Sequence, residues 1–306
     1  MKKKYVVTGG CGFIGSHIVD KLVEQGHEVV VIDNLSGAAS DKHYRNEGAT
    51  YHHYDICDHN NTVGLYSGAE CVFHLAAEAR IQPTLKNPIL ATQTNALGTC
   101  VVLQCCKEVG VKRVVYSSTS AAYGLKNEPP LQESFPKDCL NPYSVTKTFG
   151  EEMCRVYSNL FDLETVCFRY FNVYGERQPL KGRYAPVVGI FLRQRDAGEP
   201  MTIIGDGEQR RDFTYVKDVV EANLLASDLE NKDCVGELFN VGCGKNYSIL
   251  EIKDMVGGEF IFTPERKGEV RISLADTSKI KEKLGWEPQT SLPQWIKEVN
   301  DGRPNS

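Results

Sequence analysis

The chain has 306 residues, 41% of them hydrophobic and 25% charged, a composition that builds a globular core and excludes disorder and fibrous repeats. Its 35 Lys+Arg against 40 Asp+Glu give a formal net charge of -5, so counterion release drives no binding to nucleic acid and none is expected as a partner. No apolar run reaches the roughly eighteen residues of a membrane helix, and Lys2, Lys3 and Lys4 are followed by too short an apolar stretch for a signal-peptide core.

The expectation is therefore a cytoplasmic protein with no membrane partner. Eleven cysteines, an odd number with no C-x-x-C pair, read as reduced thiols instead of a disulfide framework or a zinc ribbon. His52, His53 and Asp55 are not taken as metal ligands, because neighbouring residues of a strand point to opposite faces.

Tyr5 to Thr8 reads as the first strand. Behind it, TGGCGFIGSH (Thr8 to His17) sets Gly9, Gly12 and Gly15 between that strand and a helix from Phe13 to Gln25, which Gly26 stops. Such a turn leaves backbone N–H groups open to a pyrophosphate and aims a positive helix end at it. The next strand, Glu28 to Ile32, runs into Asp33. A carboxylate at that distance accepts bonds from a ribose diol and repels a 2′-phosphate, which favours NAD over NADP.

Further strands are expected at Thr50 to Tyr54, Cys71 to Leu75, Arg113 to Ser117 and Glu164 to Phe168. Helical periodicity covers Asn87 to Val109, with Gly110 as its stop, and Pro142 to Asn159. Short apolar strands alternating with helices define a doubly wound parallel sheet, the Rossmann plan of the α/β class. Residues 1–170 form this nucleotide domain. Beyond them Gly and Pro recur and the elements shorten, so 171–213 and 243–306 are read as a smaller mixed α/β substrate lobe. Residues 214–242, with a helix at Val216 to Leu229 and a strand at Leu238 to Val241, return to the first domain.

Two stretches carry chemistry. Asn141-Pro142 offers an N-cap with proline at the first helical position, and the helix behind it places Tyr143 and Lys147 four residues apart on one face. A phenol has a reference pKa of about 10, so work as a base near neutrality needs it about three units lower, about 4 kcal/mol, for which a nearby ammonium and an oxidised nicotinamide are suitable causes. YSSTSAAYG (Tyr116 to Gly124) follows the strand from Arg113 and brings hydroxyls to the carboxyl edge of the sheet, where Thr119 can hydrogen-bond a substrate hydroxyl and relay its proton to Tyr143.

These motifs, together with VVVIDNLSG from Val29, HLAAEA from His74, RYFNVYG from Arg169 and GDGEQRRDFTYVKDV from Gly205, resemble the extended short-chain dehydrogenase/reductases. Within them the chain is similar to the NAD-dependent nucleotide-sugar epimerases and dehydratases. The resemblance implies that Thr119, Tyr143 and Lys147 are catalytic and that Asp33, Asp55 and Asn95 contact the cofactor, with Tyr170 near the nicotinamide. Phe13, Ile14, Asn34, Ile56, Leu75, Ala76, Ala77, Ser117 and Ser118 fall in the same cofactor-lining motifs.

It also implies that Asn172, Arg211 and Arg266 hold the diphosphate of a UDP-sugar and that Ser273 stands at the pocket wall beside the C2 substituent. A small residue there leaves room for an acetamido group. Ser120, Ala121 and Ala122 occupy the stretch where dehydratases and decarboxylases carry an acid. The implied activity is therefore reversible NAD-dependent C4 epimerisation of a UDP-hexose, with N-acetylated hexoses included. The alternatives are a UDP-glucuronate 4-epimerase, another nucleotide-sugar dehydratase or decarboxylase, or a non-catalytic NAD sensor. Arg80 departs from the family pattern, in which a small or neutral residue is more usual; it reads as a surface arginine or as a phosphate or carboxylate contact. Relatives dimerise through the helices matching Asn87 to Val109 and Pro142 to Asn159, so a homodimer is expected.

Overall fold

The computed structural model describes residues 2–37, 42–180, 185–265 and 270–302. Seven strands form one parallel sheet: β1 (Lys4–Thr8), β2 (Glu28–Ile32), β3 (Thr50–His52), β4 (Cys71–His74), β5 (Arg113–Thr119), β6 (Glu164–Tyr170) and β7 (Leu238–Val241). Their order is β7-β6-β5-β4-β1-β2-β3. β1 therefore lies between β2 and β4, the point at which the chain reverses its direction of winding and where ligands of such sheets bind.

Period-2 alternation explains why the strands are apolar throughout. Tyr5 and Val7 of β1 enter the core on one face with Val31, Phe73, Val115 and Phe168, whereas Val6 enters the other with Val30, Val72 and Val114. On the first face pack helices α1 (Phe13–Glu24) and α4 (Val216–Ser227). On the second pack α2 (Gly98–Val109) and α3 (Pro142–Leu160), through Val102, Leu103, Cys105, Cys106, Cys154 and Tyr157.

Several element bounds differ from expectation. β3 ends at His52, two residues early, and β5 and β6 run two residues further, to Thr119 and Tyr170, because β5 and β6 pair along their whole length from Arg113↔Glu164 to Thr119↔Tyr170. The expected helix Asn87 to Val109 is broken into Pro88–Ala91, a wide π-type turn Thr92–Leu97 and α2. The wide turn swings Asn95 into the protein, where it is 1% exposed. By length and composition Pro88–Val109 could cross a membrane, contrary to the count made on the sequence, yet its Val102, Leu103, Cys105 and Cys106 are buried against the sheet.

The smaller lobe has its own core of Val188, Phe191, Leu192, Met201, Ile203, Tyr247, Ile252, Trp295 and Ile296. Among the described residues its backbone pairs in short ribbons, Arg210–Asp212 with Asn246–Ser248, Met201–Ile204 with Phe260–Thr263 and Val173–Tyr174 with Thr214–Tyr215, and in an isolated bridge Arg210↔Ile272. One part of residues 243–306 does not belong there. Ile280, Leu284 and Trp286 join the core of the large sheet, and the Trp286 indole donates to the Asp218 carbonyl of α4 at 2.8 Å, so this segment returns to the first domain as α4 and β7 do.

Candidate active site

The carboxyl ends of β1, β2, β4, β5 and β6 open on one edge. At β1 the glycine turn is packed too tightly for other residues: a Cβ on Gly15 would lie 2.3 Å from the Gly9 carbonyl oxygen, and one on Gly9 2.7 Å from the Ala76 nitrogen. A Cβ on Gly12 would meet only the Gly9 oxygen at 3.3 Å, so Gly12 borders open space. Gly12 is the N-cap of α1 and offers no side-chain cap; among the described residues no acceptor takes the N–H groups of Phe13, Ile14 or Gly15. Three unpaired donors at a positive helix end suit the oxygens of a pyrophosphate.

Asp33 closes β2 with each carboxylate oxygen bound once, Oδ2 by the Cys11 N–H at 2.9 Å and Oδ1 by the Leu35 N–H at 2.8 Å. This fixes its carboxylate beside the turn with lone pairs left for a ribose diol. Asn34 donates to Asp55 Oδ2 at 3.0 Å, and Asp55 Oδ1 accepts the Cys57 N–H at 2.8 Å; this exposed pair rims the cleft, while Ile56 is buried beneath it. The Leu75 and Ala76 N–H groups are tied to Thr8 at 3.1 and 3.3 Å, which draws the His74–Ala77 segment against the end of β1. His74 bridges Thr8 Oγ1 and Thr99 Oγ1 at 2.7 and 3.0 Å, and burial with the charge of Lys147 pushes its pKa down to about 3, so it is neutral.

Two residues expected to contact the cofactor are also held by protein partners. The Asn95 side chain accepts the Glu78 N–H at 2.7 Å and donates to the Glu78 carbonyl and Thr146 Oγ1, both at 3.1 Å. These bonds clamp the 77–80 loop onto α3 and leave one Oδ1 lone pair over. Ser118 donates to Glu151 Oε1 at 2.6 Å within a buried network in which Arg169 donates to both oxygens of Glu151 at 2.8 Å. Ser117 and Tyr170 do meet: their hydroxyls are 3.1 Å apart, and Tyr170 is further held by Asn223 of α4.

α3 starts as the Asn-Pro pair dictates, with Asn141 Oδ1 accepting the Ser144 N–H at 2.9 Å and Pro142 in the first turn. Tyr143 is half-buried, and the Thr119 hydroxyl from the end of β5 faces its phenol. Burial raises the phenol above its ordinary pKa, while Thr119 and the positive charge of Arg80 pull it back. The Lys147 ammonium rests over the ring of Tyr116 at 4.4 Å, where the electron-rich face holds it, and burial lowers its pKa to about 8. A shared helix face brings the two residues together, but side-chain packing sends the ammonium to Tyr116.

Arg80 is no surface residue. It is half-buried, no hydrogen bond or ion pair holds it among the described residues, and its positive charge helps pull the Tyr143 phenol's pKa back down. Tyr116, whose ring lies under the Lys147 ammonium, was missed by the sequence reading; the interruption of a small-residue pattern did single out Arg80.

In the smaller lobe Asn172 donates to the Asp212 carbonyl at 2.7 Å, and Arg211 donates to the carbonyls of Arg210 and Arg271 at 2.9 and 3.4 Å. The two therefore sit on the same strand-and-loop junction. Ser273 is 8% exposed and bound through its main chain to Arg210 and Asn246, so it is not solvated. Arg266 lies outside the described residues.

A Gly-rich nucleotide turn at the winding switch point, with the Thr119 hydroxyl acting on the Tyr143 phenol, defines a dinucleotide-dependent enzyme of the α/β class. The model of the NAD-dependent epimerase/dehydratase family matches residues 5–242, and the chain belongs to that family, with NAD as its cofactor. It is 38% identical over 302 residues to a putative UDP-glucose 4-epimerase of Methanocaldococcus jannaschii, covering 96% of each chain. It is 34% identical to a UDP-N-acetyl-alpha-D-glucosaminuronate decarboxylase of Bacillus cytotoxicus, covering 98% of this chain and 97% of that one. Among solved structures it superimposes on a UDP-glucose 4-epimerase of Thermotoga maritima bound to UDP-glucose, with a TM-score of 0.90, 38% identity and 96% of each chain covered.

Proposed function

We propose that the protein catalyses reversible C4 epimerisation of a UDP-hexose. The observation that carries this reading is the Thr119–Tyr143 pair at the mouth of the nucleotide turn, beside a Ser120–Tyr123 turn that holds no carboxylate to protonate a leaving hydroxyl. NAD, when bound, accepts and returns the hydride at C4 of the sugar. Tyr143 takes the 4-hydroxyl proton and gives it back, with Thr119 bonding the same hydroxyl and relaying the proton. Gly12 and the free N–H groups after it hold the pyrophosphate of the cofactor, Asp33 the adenosine ribose, and Tyr170 and Lys147 line the nicotinamide end.

Asn172 and Arg211 serve the diphosphate of the substrate, a role that fits the bidentate geometry of a guanidinium. Ser273 leaves space at the sugar's C2 position, which extends the reading to UDP-GlcNAc and UDP-GalNAc. A second reading has its own observation: the unpaired Arg80 is suited to a sugar carboxylate, which favours a UDP-uronate. The decarboxylase-named relative acts in that chemical neighbourhood.

We further propose a homodimer, because Ile89 at 72% and Leu97 at 53% exposed, with Val145 and Phe149, form an apolar surface over adjacent helices. The eleven free cysteines fit a reducing, cytoplasmic setting. An NMR time course with UDP-galactose tests the central reading: UDP-glucose should accumulate to a fixed ratio with no net change in NAD. A stable 4-keto-6-deoxy sugar, or a pentose with CO₂, refutes it. Tyr143→Phe should lower turnover by about 10²–10⁴ while leaving NAD binding intact.

A further inference from the structure

Near its middle α3 carries Gly150, a residue that weakens a helix interior. The space its missing side chain leaves is filled from the neighbouring strand. A Cβ on Gly150 would lie 2.2 Å from the Tyr116 hydroxyl oxygen and 2.4 Å from Cζ of the same ring, so the glycine is what admits Tyr116 against the helix. Once seated, Tyr116 is buried and held on two sides. Its hydroxyl donates to the Lys147 carbonyl at 3.1 Å, and its ring leans on that of His74 with the centroids 5.6 Å apart. The ring then meets the side chain of the same lysine, whose ammonium lies 4.4 Å from its centroid.

Among the described residues no carboxylate or hydroxyl bonds that ammonium, although Lys147 is only 3% exposed. Glu151, one turn further along α3, is committed to Arg169 and Lys137. Tyr143, one turn back, is raised by burial and neutral. Cys154 of α3 and Cys167 of β6 are buried thiols, the second pushed up by its bond with Cys154 and by burial. His74 of β4 is neutral, Tyr116 is kept neutral by burial, and the Thr92–Leu97 turn carries no ionisable side chain. A buried ammonium without an anion gives up its proton easily, and burial brings Lys147 down to about 8. The electron-rich ring face opposes that loss, because it attracts the charged form and not the neutral amine.

We propose that Tyr116 is a positioning residue for Lys147: its ring, seated in the gap that Gly150 leaves, keeps the ammonium charged and fixed at the nicotinamide end of the cleft. This role rests on the proposed place of Lys147 beside the cofactor. It gives Gly150 a function as well, since a side chain there would displace the ring.

The test is a nuclear magnetic resonance titration of the full-length, cofactor-free protein, isotope-labelled at lysine Cε, with the Lys147 signal assigned by its loss in Lys147→Met. The ring current should shift the Lys147 signal upfield of the other lysines in the wild type and in Tyr116→Phe, and Tyr116→Leu should abolish that shift. In Tyr116→Leu the titration midpoint should fall by about half to one and a half pH units, whereas Tyr116→Phe, which keeps the ring, should stay within about 0.3. Titration with NAD at neutral pH should show a loss of affinity of about 2- to 30-fold in Tyr116→Leu. The same substitution in the Lys147→Met background should cost less than about twofold, a coupling that general damage to the fold would not produce. Should Tyr116→Leu not fold, Tyr116→Met takes its place with the same expectations. A wild-type signal without the upfield shift overturns the role before any variant is made. An unmoved midpoint in Tyr116→Leu overturns it too, as does an equal loss of NAD affinity in both backgrounds. NAD affinity indifferent to Lys147→Met refutes the proposed place of Lys147 beside the cofactor, and the cofactor-free titration still decides the role of Tyr116.

Discussion

Replacing Glu151 by Gln removes one charge from a buried network beneath the catalytic strands while keeping the side chain's volume. Glu151 is 6% exposed and Arg169 1%, and they meet through two bonds of 2.8 Å. Ser118 donates to Glu151 at 2.6 Å, and Lys137 reaches it at 3.1 Å. Arg169 already has Nη1 without a hydrogen-bond partner, its guanidinium lying 4.5 Å from the Tyr123 ring centroid. Loss of the carboxylate leaves that arginine buried and uncompensated, for which breaking a buried pair costs about 3–5 kcal/mol; one retained amide oxygen should limit the loss to about 2–4 kcal/mol. For a chain of this size that is a fall in Tm of about 3–6 °C.

The same pair gives a pH signature. Burial opposes the ionised carboxyl, but the bonds and charge of Arg169 outweigh it and leave Glu151 below the usual range. A depressed folded pKa contributes stability that is complete above the unfolded value, about 4.3, and is lost as pH falls through the folded value. Calorimetric melting at neutral pH and below pH 4 measures both effects, and the variant should lose less on acidification than the wild type. A loss under about 1 kcal/mol at neutral pH refutes the reasoning. Glu151→Leu combined with Arg169→Met should recover most of the loss, because the penalty lies in the unpaired charge.

Gly15→Ala forces a methyl to within 2.3 Å of a backbone oxygen and should cost about 1–3 kcal/mol of stability along with NAD binding, whereas Gly12→Ala, with its nearest atom at 3.3 Å, should fold normally and weaken NAD alone; equal stability losses in chemical denaturation would contradict this. Asp33 should favour NAD over NADP by well over tenfold in a titration of cofactor-free protein, and Asp33→Asn should narrow that preference; equal affinity of the wild type for both would show that its carboxylate does not meet the ribose. Ser273→Tyr should abolish turnover of UDP-GlcNAc and UDP-GalNAc while sparing UDP-galactose, since a side chain filling the acetamido space blocks binding. A wild type inert toward UDP-GalNAc rejects that reading of Ser273.

What the residues encode locally was legible in order. The glycine turn, the two-faced apolar strands, the capped start of α3 and the shared face of Tyr143 and Lys147 each follow from contiguous residues, because period, capping and turn chemistry act over a few positions. Tertiary packing decided what lies between distant segments. Ser118 turns to Glu151, 33 residues away, and Tyr170 meets Asn223 across 53. Residues 278–286 rejoin the large sheet's core because Trp286 finds the end of α4, a partner no local pattern names. A π-type turn spends Asn95 on a loop, and the ring of Tyr116 takes the ammonium that helix spacing aimed at Tyr143. Spacing fixes the face a side chain leaves from, whereas the packed neighbours fix where its charge comes to rest.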